Sequence, residues 1–215
     1  LYHTSKEEFD RPAMLQPSLF SIEYSMARTL MVDCGIQPVS VSGHSIGEYV
    51  SATLAGMLSL EQAMILICTR ALATELAAPG MMLASVMPEQ DARRLVANNN
   101  HVSLAAVNSP THVVFSGTEQ ALQQLDLQNY KTRWLKVSHA FHSPMMAPAA
   151  EQLLCAVEKE EIQAPCIPMT SNITGDWLES PSEPNYWSRH VCETVEWKKN
   201  VDCLLRWKPD IVLEA

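Results

Sequence analysis

The stretch Val39-Ser-Val-Ser-Gly43-His44-Ser45-Ile46-Gly47-Glu48-Tyr49 decides how the rest of the chain is read. Residues 39–42 alternate Val and Ser and predict a buried strand, while residues 46–54 predict a helix. Gly-x-Ser-x-Gly joins them. A strand that turns into a helix within so few residues leaves no room for side chains beside the tip. Gly43 and Gly47 remove two of them and leave Ser45 exposed at the helix N-terminus. The unpaired N–H groups and the helix dipole favour negative charge there, which suits a nucleophile. The competing reading is an ordinary N-cap serine with Glu48 as its capping-box partner.

Working outward, the composition suits one large domain or a domain carrying a smaller insert. The chain has 215 residues, 47% of them apolar and 18% charged, enough to build a sizeable core. A formal charge of −9 argues against a nucleic-acid binder. Cys34, Cys68, Cys155, Cys166, Cys192 and Cys203 have neither C-x-x-C nor paired-His spacing. They read as reduced, mostly buried thiols of a cytoplasmic protein, with no zinc site. No signal peptide is visible, and the most apolar run, residues 50–68, is broken by Glu61 and Gln62. The chain begins without Met and ends on Asp210-Ile-Val-Leu-Glu-Ala215, which reads as a strand entering a core. The expectation is a piece of a longer polypeptide, truncated at both ends.

Before the elbow, Leu15, Leu19, Ile22, Met26 and Leu30 recur at helical spacing, predicting one or two helices over residues 12–33 that pack on a sheet. After it, Ser59-Leu-Glu-Gln62 resembles a capping box opening a helix to about residue 77. Strands are then expected at 82–86, 102–107, 112–116 and 132–137, with helices at 88–97 and 118–127. This β-α-β-β-α-β order is that of a ferredoxin-like layer. The expected fold class is therefore α/β. Residues 1–79 and 139–215 form a large α/β-hydrolase-like subdomain with a parallel sheet, and residues 80–138 form an inserted ferredoxin-like α+β subdomain. The large part continues with a helix over 145–160, a strand over 166–170, a loop over 172–183, and helix and turn over 186–206.

A serine hydroxyl needs a base to remove its proton. His139 and His142 flank Phe141 in one short apolar loop after a predicted strand, and the sequence leaves both open as that base. An orienting acid has only Asp176 and Asp210 as candidates; an imidazole held by a backbone carbonyl would serve equally well. Arg70 stands out on a mainly apolar helix. Its guanidinium suits a carboxylate, which it holds through two parallel hydrogen bonds, and the alternative is an exposed helix arginine.

Together these residues resemble the acyltransferase domain of type I polyketide synthases, kin to malonyl-CoA:acyl carrier protein transacylases. The matching motifs run in order along nearly the whole chain. They are Gln16-Pro17, Gly43-His-Ser-Ile-Gly-Glu-Tyr49, Arg70, Ala106-Val-Asn-Ser-Pro and Phe115-Ser-Gly. His139-Ala-Phe-His142-Ser-Pro-Met-Met, Ser171-Asn-Ile-Thr-Gly and Tyr186-Trp complete the series.

The resemblance implies Ser45 as the acylated nucleophile and His142 as general base and acid. Arg70, Ile46, Phe141 and His139 would bind substrate: Arg70 clamps the malonyl carboxylate and the Ile46 N–H is an oxyanion donor. His-Ala-Phe-His goes with malonyl in this family and Tyr-Ala-Ser-His with methylmalonyl; Phe141 would fill the space of an α-methyl, worth about 1–3 kcal/mol. The implied substrate is a coenzyme A thioester, malonyl-CoA, and the acceptor is the phosphopantetheine of an acyl carrier protein. No metal and no bound redox cofactor is needed, and no nucleic acid or membrane is involved. A ketosynthase and linker would flank the domain in the parent protein. The family begins with a Gly-Gln-Gly loop that supplies an oxyanion donor. This sequence starts after it, so the stretch alone is expected to be inactive. The rival functions are a serine hydrolase or thioesterase, and a non-catalytic carrier-protein docking module. Arg93 and Arg94 read as a solvated helix face, with an acidic carrier protein as the alternative contact.

Overall fold

The computed structural model describes residues 5–97, 99–178 and 185–215. Helices α1 (Lys6–Phe9), α2 (Pro12–Val32), α3 (Ile46–Leu54) and α4 (Leu60–Glu75) come first. Then follow β1 (Met81–Val86), α5 (Glu89–Ala97), β2 (Val102–Ser109), β3 (His112–Gly117), α6 (Glu119–Gln123) and β4 (Lys131–Trp134). A short 3₁₀ turn at Pro144–Met146 leads into α7 (Ala147–Val157), α8 (Asn185–Cys192) and α9 (Trp197–Arg206).

Local chemistry explains the helix starts. Pro12 occupies the first turn of α2, where its missing N–H costs nothing. At α4 the expected capping box is present: Ser59 Oγ accepts the Gln62 N–H and Gln62 Oε1 accepts the Ser59 N–H. α3 has the predicted bounds. Its core is aromatic: Tyr49 packs on Trp187 of α8 at 4.4 Å between ring centres, within a cluster that also takes Phe20, Leu66, Leu153 and Met169.

The strands form one antiparallel sheet in the order β2-β3-β1-β4. The connection β1-α5-β2-β3-α6-β4 is the one expected. One face carries Leu83, Val113 and Phe115 against α5 and α6. The other carries Met82, Ala105 and Val114 toward Val195 and Trp197. Phe141 packs against this second face and against the helical core, joining the two. Entry to and exit from the sheet are tied where the Gly80 N–H donates to Ser138 O at 3.1 Å. A Cβ on Gly80 would lie 2.6 Å from that of Ala140, so the crossing segments need glycine there.

Several expectations fail, for reasons of pairing. Among the described residues no parallel sheet forms. Residues 39–42 and 166–170 share a single parallel bridge, Val41–Met169, beside a 2.6 Å side-chain contact between Ser42 Oγ and Thr170 Oγ1, and Thr170 adds one bridge to Trp177. Residues 210–215 form no strand, and Ile211 and Val212 are exposed. A ladder needs a partner along each strand's length, and these segments have only isolated bridges or none. α6 and β4 are shorter than predicted.

α2 buries Gln16, Phe20 and Ala27, while Leu19, Ile22 and Met26 face outward. Apolar spacing alone points to the wrong stripe as the inner face, because α3 and α4 pack on the neighbouring side. All six cysteines are free, yet only Cys203 is buried. Among the described residues no helix is long and apolar enough to cross a membrane.

Candidate active site

Gly43 is where the elbow tolerates no side chain. A Cβ there would lie 1.9 Å from the backbone carbonyl carbon and oxygen of Gly47 and 2.4 Å from Glu48 N. Gly47 is different, since a Cβ on it would meet only Glu23 Oε2 at an ordinary 3.4 Å. The sharp turn puts Ser45 at φ 54° and ψ −109°, a left-handed conformation that costs a non-glycine residue about 1–3 kcal/mol. Its hydroxyl caps nothing, and Glu48 lies inside the protein rather than reaching back to it, so the N-cap reading fails.

Ser45 Oγ lies 2.8 Å from His142 Nε2. His142 also has positive φ, 55°, and its N–H donates to Val191 O. Its Nδ1 lies 3.0 Å from Glu193 O. A carbonyl only accepts, so Nδ1 carries the proton and Nε2 presents its lone pair to the serine hydroxyl. A backbone carbonyl therefore orients the imidazole. Asp176 instead engages Trp177, Cys203 and Arg206, and Asp210 forms no bond to the imidazole. Of the two candidate histidines, His142 reaches the serine, whereas His139 Nδ1 bonds Ser138 Oγ at 2.8 Å. A cavity of about 580 Å³ between α5, β2 and residues 192–196 reaches His142, but Ser45 and Arg70 do not line it.

Burial holds the His142 pKa well below 6.5, helped by the nearby His190, Arg70 and His44; the Glu193 carbonyl opposes this. The imidazole is thus a neutral base at pH 7. The acidic limb of the acylation rate should fall below pH 6.5, read from kcat/KM against pH. A limb at or above 6.5 would contradict the burial argument. The folded state also loses stability as pH falls from about 6.5 toward the depressed value, because the unfolded state takes the proton first.

Arg70 is only 2% exposed, which excludes the solvent-facing alternative. Its Nη1 donates to Gln16 Oε1 at 3.2 Å and its Nη2 to Ser45 Oγ at 3.3 Å, with the Tyr49 ring 5.8 Å from Cζ. Among the described residues no carboxylate pairs with it, and its Nε has no partner. A buried cation without a counter-ion is costly and remains a ready site for an anion. Arg93 is engaged by Glu89 and Glu196, each at under 3 Å, so it is not a free surface cation.

Ser45 is thus in direct contact with both His142 and Arg70. Ile46 opens α3, where N–H groups lack intrahelical partners. Phe141 packs nearby in the core. Sequence reasoning assigns no role to several polar residues here. Asn172 Oδ1 accepts the Ser45 N–H, Gln16 holds Arg70, and Asn108 Oδ1 meets His44 Nε2 at 2.9 Å. Each lies within a quoted motif, and its signal is a polar side chain among the motif's other residues.

An elbow serine joined to an imidazole on an α/β frame is the arrangement of acyl-transferring enzymes. The chain belongs to the acyl transferase domain family, whose pattern it matches over residues 1–215. It is similar to the polyketide synthase GfsE of Streptomyces halstedii, 34% identical over 215 residues, covering 96% of this chain and 6% of that protein. It is also similar to the acyltransferase domain from the second module of the salinomycin polyketide synthase, with 36% identity and a TM-score of 0.90. That match covers 95% of this chain and 50% of the other. A malonyl CoA-acyl carrier protein transacylase from Burkholderia pseudomallei shares the fold, at TM-score 0.87 and 24% identity over 94% of this chain and 72% of its own. The chain thus spans a small part of the synthase and half of the solved salinomycin domain.

Proposed function

We propose that this chain is the serine-bearing part of a polyketide synthase acyltransferase that loads malonyl onto an acyl carrier protein. In the first half-reaction His142 Nε2 takes the Ser45 proton as Oγ attacks the thioester carbonyl of malonyl-CoA. The C–S bond breaks, and the proton passes from His142 to the departing coenzyme A sulfur. In the second, His142 takes the proton of the phosphopantetheine thiol, whose sulfur attacks the acyl-Ser45 ester. The C–O bond breaks, and Ser45 recovers its proton. The Ile46 N–H is a donor to the oxyanion in both steps. Arg70 holds the malonyl carboxylate, and Phe141 and His139 bound the acyl pocket. The observation that carries the reading is the 2.8 Å contact from Ser45 Oγ to an imidazole whose other nitrogen is held by a backbone carbonyl.

Residues 1–79 and 139–215 act as a large α/β-hydrolase-like part, and residues 80–138 as a ferredoxin-like insert. The Gly80–Ser138 hydrogen bond supports that division. The parent protein is a cytoplasmic synthase with a ketosynthase and linker upstream, and no resident cofactor takes part.

The test is mass spectrometry of the complete domain given malonyl-CoA and carrier protein. Malonylated carrier protein is expected. Free malonate with unmodified carrier would instead indicate a serine hydrolase, and no acyl-Ser45 adduct would indicate a docking module.

A further inference from the structure

Glu48 is a carboxylate with no exposed surface in the wall behind the elbow, and the acyl-transfer steps make no use of it. Its Oε2 accepts the Asn172 backbone N–H at 2.8 Å and lies 3.3 Å from His190 Nε2. Its Oε1 accepts the Tyr186 hydroxyl, which also sits 2.8 Å from Ser171 Oγ. A buried carboxylate with this many partners is held in one geometry and holds its partners in turn.

Asn172, 1% exposed, is the residue so held. Its side-chain amide spans the elbow: Oδ1 accepts the Ser45 N–H and Nδ2 donates to Gly43 O, both at 2.7 Å. Its own carbonyl accepts the Glu196 N–H at 2.8 Å. Glu196 lies in the same short segment as Glu193, whose carbonyl orients His142. One residue therefore ties the loop that carries the nucleophile to the loop that fixes its base. It also consumes the Ser45 N–H, leaving oxyanion binding to other donors.

We propose that Asn172, anchored by the buried Glu48 carboxylate, is a positioning residue that registers Ser45 against His142. The proposal rests on Ser45 being the acylated residue. Glu48 touches neither serine nor histidine of the reacting pair and acts through Asn172. A shift of about 1 Å between reacting groups can cost on the order of 10²-fold in rate. Loss of the bridge should therefore appear in the acylation step and leave substrate affinity largely unchanged.

The experiment is a double-mutant cycle in the complete domain, reading the rate constant of Ser45 acylation by malonyl-CoA in rapid-quench mass spectrometry, with Tm measured alongside. Asn172→Ala should lower that rate constant on the order of 10²-fold with KM little changed. Glu48→Gln should lower it less, and adding Glu48→Gln to Asn172→Ala should lower it no further. If Glu48→Gln does not fold, Tyr186→Phe takes its place, since it removes a hydroxyl that holds the same carboxylate. Additive losses, or a normal acylation rate per folded molecule in Asn172→Ala, would overturn the proposal while leaving acyl transfer intact. A wild-type domain that forms no acyl-Ser45 adduct would sink the functional reading and this proposal together.

Discussion

Ser45→Ala should abolish covalent labelling of the complete domain by radioactive malonyl-CoA, and His142→Ala should slow it on the order of 10⁴–10⁶-fold. At 2.8 Å the hydroxyl and the imidazole act as a unit, so loss of either removes the pair. The double variant should be scarcely slower than the worse single variant. The size of the effect follows from the environment of His142. Its pKa is depressed by burial, so it is unprotonated in the resting site, and the Glu193 carbonyl fixes the tautomer that leaves Nε2 free. The partner of Nδ1 is a backbone carbonyl and not an acid, so no third substitution of an orienting acid should reproduce the loss. Asp176→Asn, engaged with Arg206 and Cys203 rather than the imidazole, should load malonyl at the normal rate. Persistent label in Ser45→Ala would mean that another nucleophile carries the acyl group.

The elbow, the α3 bounds and the α4 capping box are legible in the sequence because they depend on residues within a few positions of one another. Gly43 leaves room for Gly47 to return, and Ser59 and Gln62 satisfy each other's N–H groups. What depends on distant partners is harder to read. Val41 has the composition of a strand residue, but a strand exists only where a neighbour runs beside it, and Met169 supplies a single bridge. The outward face of α2 teaches the same lesson. Leu19, Ile22 and Met26 have helical spacing, yet which stripe of a helix is inside depends on where its neighbours sit.

The site divides along the same line. Ser45 is named by its turn, and His142 comes from a pair of histidines that only the 97-residue return of the polypeptide separates. Asn172 and Glu48 stand within recognisable motifs, but their function lies in bonds across 124 to 129 positions. No local pattern reveals those. The buried polar groups are the residues most easily underread, because their chemistry is set by what they are buried against.

Arg70→Ala should weaken loading of malonyl about 30-fold or more and change loading of acetyl far less. The guanidinium is buried beside the nucleophile, and its hydrogen-bond partners, Gln16 Oε1 and Ser45 Oγ, are neutral. A substrate carboxylate entering there would become the missing counter-ion, and truncating one partner of such a buried pair costs about 2–5 kcal/mol. Acetyl brings no carboxylate, so it leaves the cation as unpaired as before and gains nothing from it. Arg70→Lys should recover only part of the malonyl preference, because an ammonium cannot make two parallel bonds to one carboxylate while keeping the Gln16 contact. Gln16→Ala, which leaves the charge but frees its orientation, should fall between wild type and Arg70→Ala. The decisive quantity is the ratio of kcat/KM for malonyl-CoA to that for acetyl-CoA in each variant. If Arg70→Ala lowers both equally, the buried cation serves the nucleophile rather than the acyl group, and carboxylate selection must come from elsewhere in the domain.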